Sequence, residues 1–156
     1  MKVSLVIVLF AALVASGALA SSQPAGPGKQ QVLYGHVKSI TRAGNRFQLR
    51  FDPAWWLTGV AAEHACGCKP VANDYYVVDE SHSQLTFAVR KDAAVTVLVR
   101  GSKVSTATIS VAELAQIVQG KNPRHRRLLE PKAGFWIRVL QTYPSPVVSL
   151  DQQYQP

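Results

Sequence analysis

The fold class this sequence predicts is a mainly β domain with one or two short helices, and three observations predict it. Apolar residues alternate with polar ones in several short stretches, Gly, Pro, Asn and Asp separate those stretches, and only one segment carries a full set of helix signals. At 156 residues, 47% hydrophobic and 17% charged, the chain has apolar content for one core and too little charge for a disordered polymer. Two cysteines are too few for a disulfide-stapled miniature fold, and the length argues against a multidomain enzyme.

In chain order, the N-terminus reads as a targeting segment. Lys2, an apolar stretch from Val3 to Val14 and the small residues Ala18 and Ala20 match the three parts of a secretory signal, with cleavage expected after Ala20. The alternative is an uncleaved anchor, because residues 3–20 approach the roughly 20 needed to cross a bilayer. Residues 21–31, rich in Pro, Gly, Ser and Gln, read as a flexible linker, and 32–156 as a single domain.

Phe47, Leu49 and Phe51 share a face opposite Gln48 and Arg50, which is the pattern of a half-buried strand. With the β-rich arm before it and the turn residues Ala43-Gly44-Asn45 between, residues 32–52 read as a β-hairpin. Gly35, inside the first arm, marks a bulge or bend of the kind that lets a sheet curl. A weaker helix is expected at 56–65, after Pro53. Strands are expected at 74–79, 84–90, 94–100, 135–141 and 147–150. Residues 111–119 read as a helix: Ser110 and Glu113 suit a capping box, Val111, Leu114, Ala115 and Val118 make an apolar stripe, and Gly120 suits the terminating position. Short twisted strands with a helix to plug an open end fit an OB-like barrel or small curled sheet, the alternative being an open α+β sheet with the helix on one face.

The segments Phe51-Asp52-Pro53-Ala54-Trp55-Trp56-Leu57-Thr58-Gly59, Asn73-Asp74-Tyr75-Tyr76-Val77, Ser110-Val111-Ala112-Glu113-Leu114, Gly134-Phe135-Trp136-Ile137-Arg138-Val139 and Leu150-Asp151-Gln152-Gln153-Tyr154 occur in that order. Together they resemble a family of small uncharacterised exported bacterial proteins. The resemblance spans most of the chain after residue 20 and implies no activity, cofactor or substrate. Cys66 and Cys68 are not part of its pattern.

Two segments carry candidate chemistry. His64, Cys66 and Cys68 supply up to three metal ligands, with a fourth to come from His36, His82 or His125; alternatively the two thiols close on each other across a turn at Gly67, or exchange with other thiols. Lys121, Arg124, Arg126 and Arg127, with Lys132 nearby, form a Pro-broken basic run after the helix, a candidate anion-binding site that could also complement the helix C-terminus. Trp55, Trp56, Tyr75, Tyr76 and Trp136 are candidates for a sugar or peptide groove, with core packing the better expectation for most of them; in strands, adjacent residues point to opposite faces, so at most one of each pair faces any groove and the other belongs to the core. Asp52 and Asp74 read as local caps of backbone donors. The sequence holds no Gly-x-Ser-x-Gly elbow, His-Glu-x-x-His helix or phosphate-cradling glycine loop.

Seventeen Lys and Arg against nine Asp and Glu give a formal charge of +8. Outside a cell, the polyanions such a protein meets are envelope polymers and lipid head groups, and nucleic acid is not the expected partner. The expectation is therefore a secreted binding module at the cell envelope, with a thiol-redox or metal-binding protein centred on Cys66 and Cys68 as the alternative. Nothing in the sequence specifies a cofactor or an oligomeric state.

Overall fold

The computed structural model describes residues 28–80, 83–130 and 133–155. The expected signal segment and most of the expected linker lie outside the described residues. The chain order is β1 (Gln30–Ala43), β2 (Arg46–Thr58), α1 (Gly59–Cys66), β3 (Tyr75–Val78), β4 (Leu85–Arg100), β5 (Val104–Ile109), α2 (Val111–Val118), β6 (Phe135–Leu140) and β7 (Val147–Gln152).

Five strands close a barrel in the order β1, β2, β4, β7, β6 and back to β1. Every seam is antiparallel except β4 with β7, which run parallel. This is the OB-like arrangement, with α2 between the third and fourth barrel strands; β3 extends β2, and β5 extends β4.

The barrel closes because β1 serves two neighbours. Its first half, Gln30 to Gly35, pairs with β6, and Tyr34 to Ala43 pairs with β2. Gly35 lies where both pairings overlap, opposite Pro53 on one side and Phe135 on the other. A Cβ at Gly35 would collide with the Asp52 carbonyl and sit 2.8 Å from Pro53 Cα, so this crossing requires glycine.

The alternating residues fill the interior. Ile40, Leu49, Phe51, Val89, Val95, Val97, Phe135, Ile137, Val147 and Leu150 are fully buried there. Helix α2 packs against β1 and β4 and adds Val111, Leu114 and Ala115 of the expected stripe, together with Ile117, which the spacing did not single out, while Val118 is only partly buried. Among the buried polar residues, Asp52, Glu113, Ser149 and Gln152, the last makes the most hydrogen bonds to backbone. Its Oε1 accepts from Leu98 N at 2.7 Å, and its Nε2 donates to the carbonyls of Leu129 (2.8 Å) and Glu130 (2.7 Å), tying β7 to β4 and to the loop before β6.

Several expected details differ. Trp56 to Thr58 are strand, because they pair with β3, and α1 starts only at Gly59. The two strands expected at 84–90 and 94–100 are one strand, β4, interrupted by a bulge. Strand β5 has no counterpart among the expected strands, because its Ser and Thr residues hide the alternation. The linker ends earlier than expected, since Gln30 and Gln31 already pair with Leu140 and Val139. Ser110 does cap α2, accepting from Glu113 N at 3.1 Å, but the Glu113 carboxylate engages Arg126 and Arg124. Asp52 is not a turn cap: it is buried and paired with Lys38 at 2.9 Å.

Candidate anion-binding face

The strongest concentration of uncommitted donors lies at the tip of the first hairpin. The β1–β2 turn flanks itself with Arg42 and Arg46, and Arg42 Nε donates to Gly44 O at 3.2 Å. Facing them is the β4 bulge. Val89 pairs with Val147 and Ala94 with Ser149, so four residues of β4 stand where β7 has one; of these Ala93 is buried, and Arg90, Lys91 and Asp92 are exposed. Arg42, Asn45, Arg46, Phe47, Arg90, Lys91 and Asp92 line one groove of about 580 Å³. Arg50 continues the row, exposed four residues beyond Arg46 on β2 and opposite Thr86 on β4.

Asp92 is the one acidic residue in the groove wall, and Arg90 takes both of its oxygens, at 2.9 Å and 2.6 Å. Those hydrogen bonds hold the Asp92 carboxyl below its ordinary range and raise the Arg90 guanidinium. Arg42, Arg46 and Lys91 make no ion pair among the described residues. Guanidinium forks from two strands and an ammonium from a bulge converge on one concavity, an arrangement able to hold phosphate or carboxylate oxygens from several sides. The signal was present in the sequence as cations on both sides of a turn and as three charges between two apolar stretches. Only the fold puts residues 42–46 beside 90–92.

The basic run at 121–127 is arranged differently. Glu113, buried on α2, accepts from Arg126 Nε at 2.7 Å with one oxygen and pairs with Arg124 Nε at 3.3 Å through the other. Asn122 brackets the same arginine, donating to Arg126 O (2.7 Å) and accepting from Arg126 N (2.9 Å). Arg127 O accepts from Arg100 N at 2.6 Å, fastening the loop to β4. Of the four expected anion-binding residues, Arg124 and Arg126 therefore neutralise a buried carboxylate in the first turn of α2, and Lys121 and Arg127 flank that pair. Lys132 lies outside the described residues.

His64 sits in the last turn of α1, and Gly67, in the left-handed conformation, ends the helix. The turn there brings Cys66 and Cys68 to a Cα separation of 5.2 Å, and they are bonded to each other. With both sulfurs in the bridge there is no thiolate pair for a metal. Among the described residues no three His, Cys, Asp or Glu side chains converge as a metal site. His36 instead faces Asp79 at 3.4 Å, and His82 lies outside the described residues.

The aromatics form a second cluster outside the barrel core. Tyr34 packs against Trp56 and Trp136 at ring separations of 5.0 Å and 4.9 Å, and Trp56 stacks on Tyr75 at 4.0 Å. Trp136 Nε1 donates to Gln153 Oε1 at 2.9 Å, and Gln155 Nε2 donates to Tyr34 Oη at 2.6 Å. Burial pushes the Tyr34 phenol up to about 12. Any side chain at Gly134 would occupy the space of the Tyr34 ring. Trp55 is 67% exposed while Trp56 packs in this outer cluster and not in the core, and yet both border one cleft, so the expected limit of one residue of each adjacent pair per groove does not hold for the tryptophans. Trp55, Trp56, Trp136, Tyr34 and Val32 line an apolar cleft of about 250 Å³ where β1 and β2 diverge.

Comparisons with protein-family models, with curated proteins and with solved structures return no match, so the functional assignment rests on the geometry above.

Proposed function

We propose that this chain is an extracytoplasmic binding module that holds an anionic partner, an envelope polymer or lipid head group bearing phosphate or carboxylate, against the face formed by Arg42, Arg46, Arg50, Arg90 and Lys91. One observation carries the reading: four cations line a single groove whose one carboxylate is already committed to Arg90. The position agrees with fold-level analogy, since OB-like barrels commonly use the face of their second and third strands together with the loops joining strands one to two and four to five. The secretory pattern of residues 1–20 supplies the compartment. No helix among the described residues is long and apolar enough to cross a membrane.

The test is binding of the secreted form to immobilised inorganic polyphosphate at low and high salt. Exposed charges separated by more than about 10 Å are screened at 0.1 M salt, so binding through this face weakens steeply as salt rises. The variant Arg42→Ser/Arg46→Ser/Lys91→Ser is expected to lose the salt-sensitive binding, and retention of it would overturn the reading. The competing thiol-exchange reading draws on the Cys66–Cys68 bridge. Replacing both cysteines by serine separates the two: a binding module keeps its affinity, whereas a thiol exchanger loses its activity.

A further inference from the structure

We infer that the anionic partner is the surface of a lipid bilayer, and that the β6–β7 loop seats Tyr143 among the head groups while the neighbouring cations meet the phosphates; the inference rests on the anion-binding reading above. Tyr143 is fully exposed, at 102% of its reference area, the most exposed large apolar residue among those described. Its loop is braced. Leu140 N donates to Pro146 O at 3.0 Å, Gln141 N donates to Lys29 O at 2.8 Å, and Ser145 N donates to Thr142 O across the turn. Pro144 and Pro146 line a second small concavity together with Arg46, Arg90, Ala88 and Val89, and its two arginines also line the cationic groove. The hydrogen-bonded loop thus carries a fully exposed tyrosine, next in sequence to the Pro144 that lies with Arg46 and Arg90, and that tyrosine does not line the cationic groove.

That placement selects among polyanions. A soluble polymer lying in the groove gains little from a ring that does not line it. Single-stranded nucleic acid is held by rows of aromatic faces along a basic groove, and here the groove wall offers only Phe47, itself half-buried against the core. A bilayer covers a whole end of the barrel at once. It presents phosphates at the depth of the arginines and an amphipathic layer at the depth where tyrosine rings settle.

The experiment measures partitioning of the secreted form onto vesicles of phosphatidylcholine mixed with phosphatidylglycerol, with phosphatidylcholine vesicles, soluble inorganic polyphosphate and single-stranded DNA as parallel arms. Arg42→Ser/Arg46→Ser/Lys91→Ser is expected to weaken binding to the anionic vesicles about 100-fold, and to weaken polyphosphate binding as well. Tyr143→Ala is expected to weaken vesicle binding about fivefold, with Tyr143→Trp restoring it and neither change moving polyphosphate binding. Polyphosphate binding without vesicle binding, or vesicle binding indifferent to Tyr143, would sink the bilayer inference and leave the anion-binding face standing. DNA binding stronger than vesicle binding and dependent on Tyr143 would replace the bilayer with a stacked nucleic acid. Binding to none of the anionic arms, or binding indifferent to the triple substitution, would sink both readings.

Discussion

Two cationic regions of the same chain have opposite fates. At 121–127, positive charges are consecutive or nearly so in sequence, yet two arginines close on the carboxylate of Glu113, and the loop is stitched to α2 and β4. At the hairpin tip and the β4 bulge, the charges are separated by more than forty positions, yet the fold gathers Arg42, Arg46, Arg90 and Lys91 around one groove with one acid among them. The density of cations along a chain therefore says little about their availability. What decides it is whether a buried carboxylate claims them, because an ion pair already hydrogen-bonded gives up much of its attraction for a second anion.

The largest effect that would break this contrast is in binding. Arg42→Ser/Arg46→Ser/Lys91→Ser should lower affinity for anionic vesicles about 100-fold while leaving unfolding free energy within about 0.5 kcal/mol, because these side chains are exposed. Arg124→Ser/Arg126→Ser should show the reverse, keeping affinity and losing stability; equal losses of affinity in the two variants would erase the distinction. Next, Glu113→Ala removes the acceptor for two arginines and should cost about 2 kcal/mol in urea unfolding, with anion affinity unchanged or raised.

A smaller effect is expected at the bridge. Cys66→Ser/Cys68→Ser opens a loop of three residues, for which chain entropy gives at most about 1.6 kcal/mol, and vesicle binding should not change. The smallest concerns Asp92. Asp92→Asn releases Arg90 and should raise anion affinity about threefold at low salt, as removal of one exposed ion-pair partner implies; an unchanged affinity would mean that Arg90 does not face the ligand. The same pair sets a pH dependence. Because Arg90 holds the Asp92 carboxyl below its ordinary range, the pair is intact above that range, persists as the pH falls through it, and is lost only on further acidification.

Much of the fold was legible and little of the site. The alternation of Phe47, Leu49 and Phe51 with polar neighbours, the Ala43-Gly44-Asn45 turn and the apolar stripe of α2 are local patterns, and each forms the element its period implies. Where the pattern was interrupted, the interruption carried the information. Arg90-Lys91-Asp92 reads as the end of a strand, because three charges break the alternation, but the ladder to β7 resumes at Ala94 and the charges become a bulge. Strand β5 was missed because Val104-Ser105-Thr106-Ala107-Thr108-Ile109 is held by its pairing with β4 more than by its own hydrophobicity. The partnership of Glu113 with Arg126 spans a helix and a loop, and the groove joins two hairpin arms to a distant bulge. Neither spacing has a local signature.

One seam has a consequence for the order in which the molecule can be assembled. Strand β7 follows every other strand among the described residues, yet it alone bridges β4 and β6, and Gln152 at its end satisfies backbone groups of β4 and of one further segment, the loop before β6. Until it docks, the sheet has two unpaired margins and a solvated interior, so a nascent chain held back before residue 147 stays open and pliable. Such delayed closure makes the last strand the lock of the barrel, turned only once the C-terminal segment is free to dock.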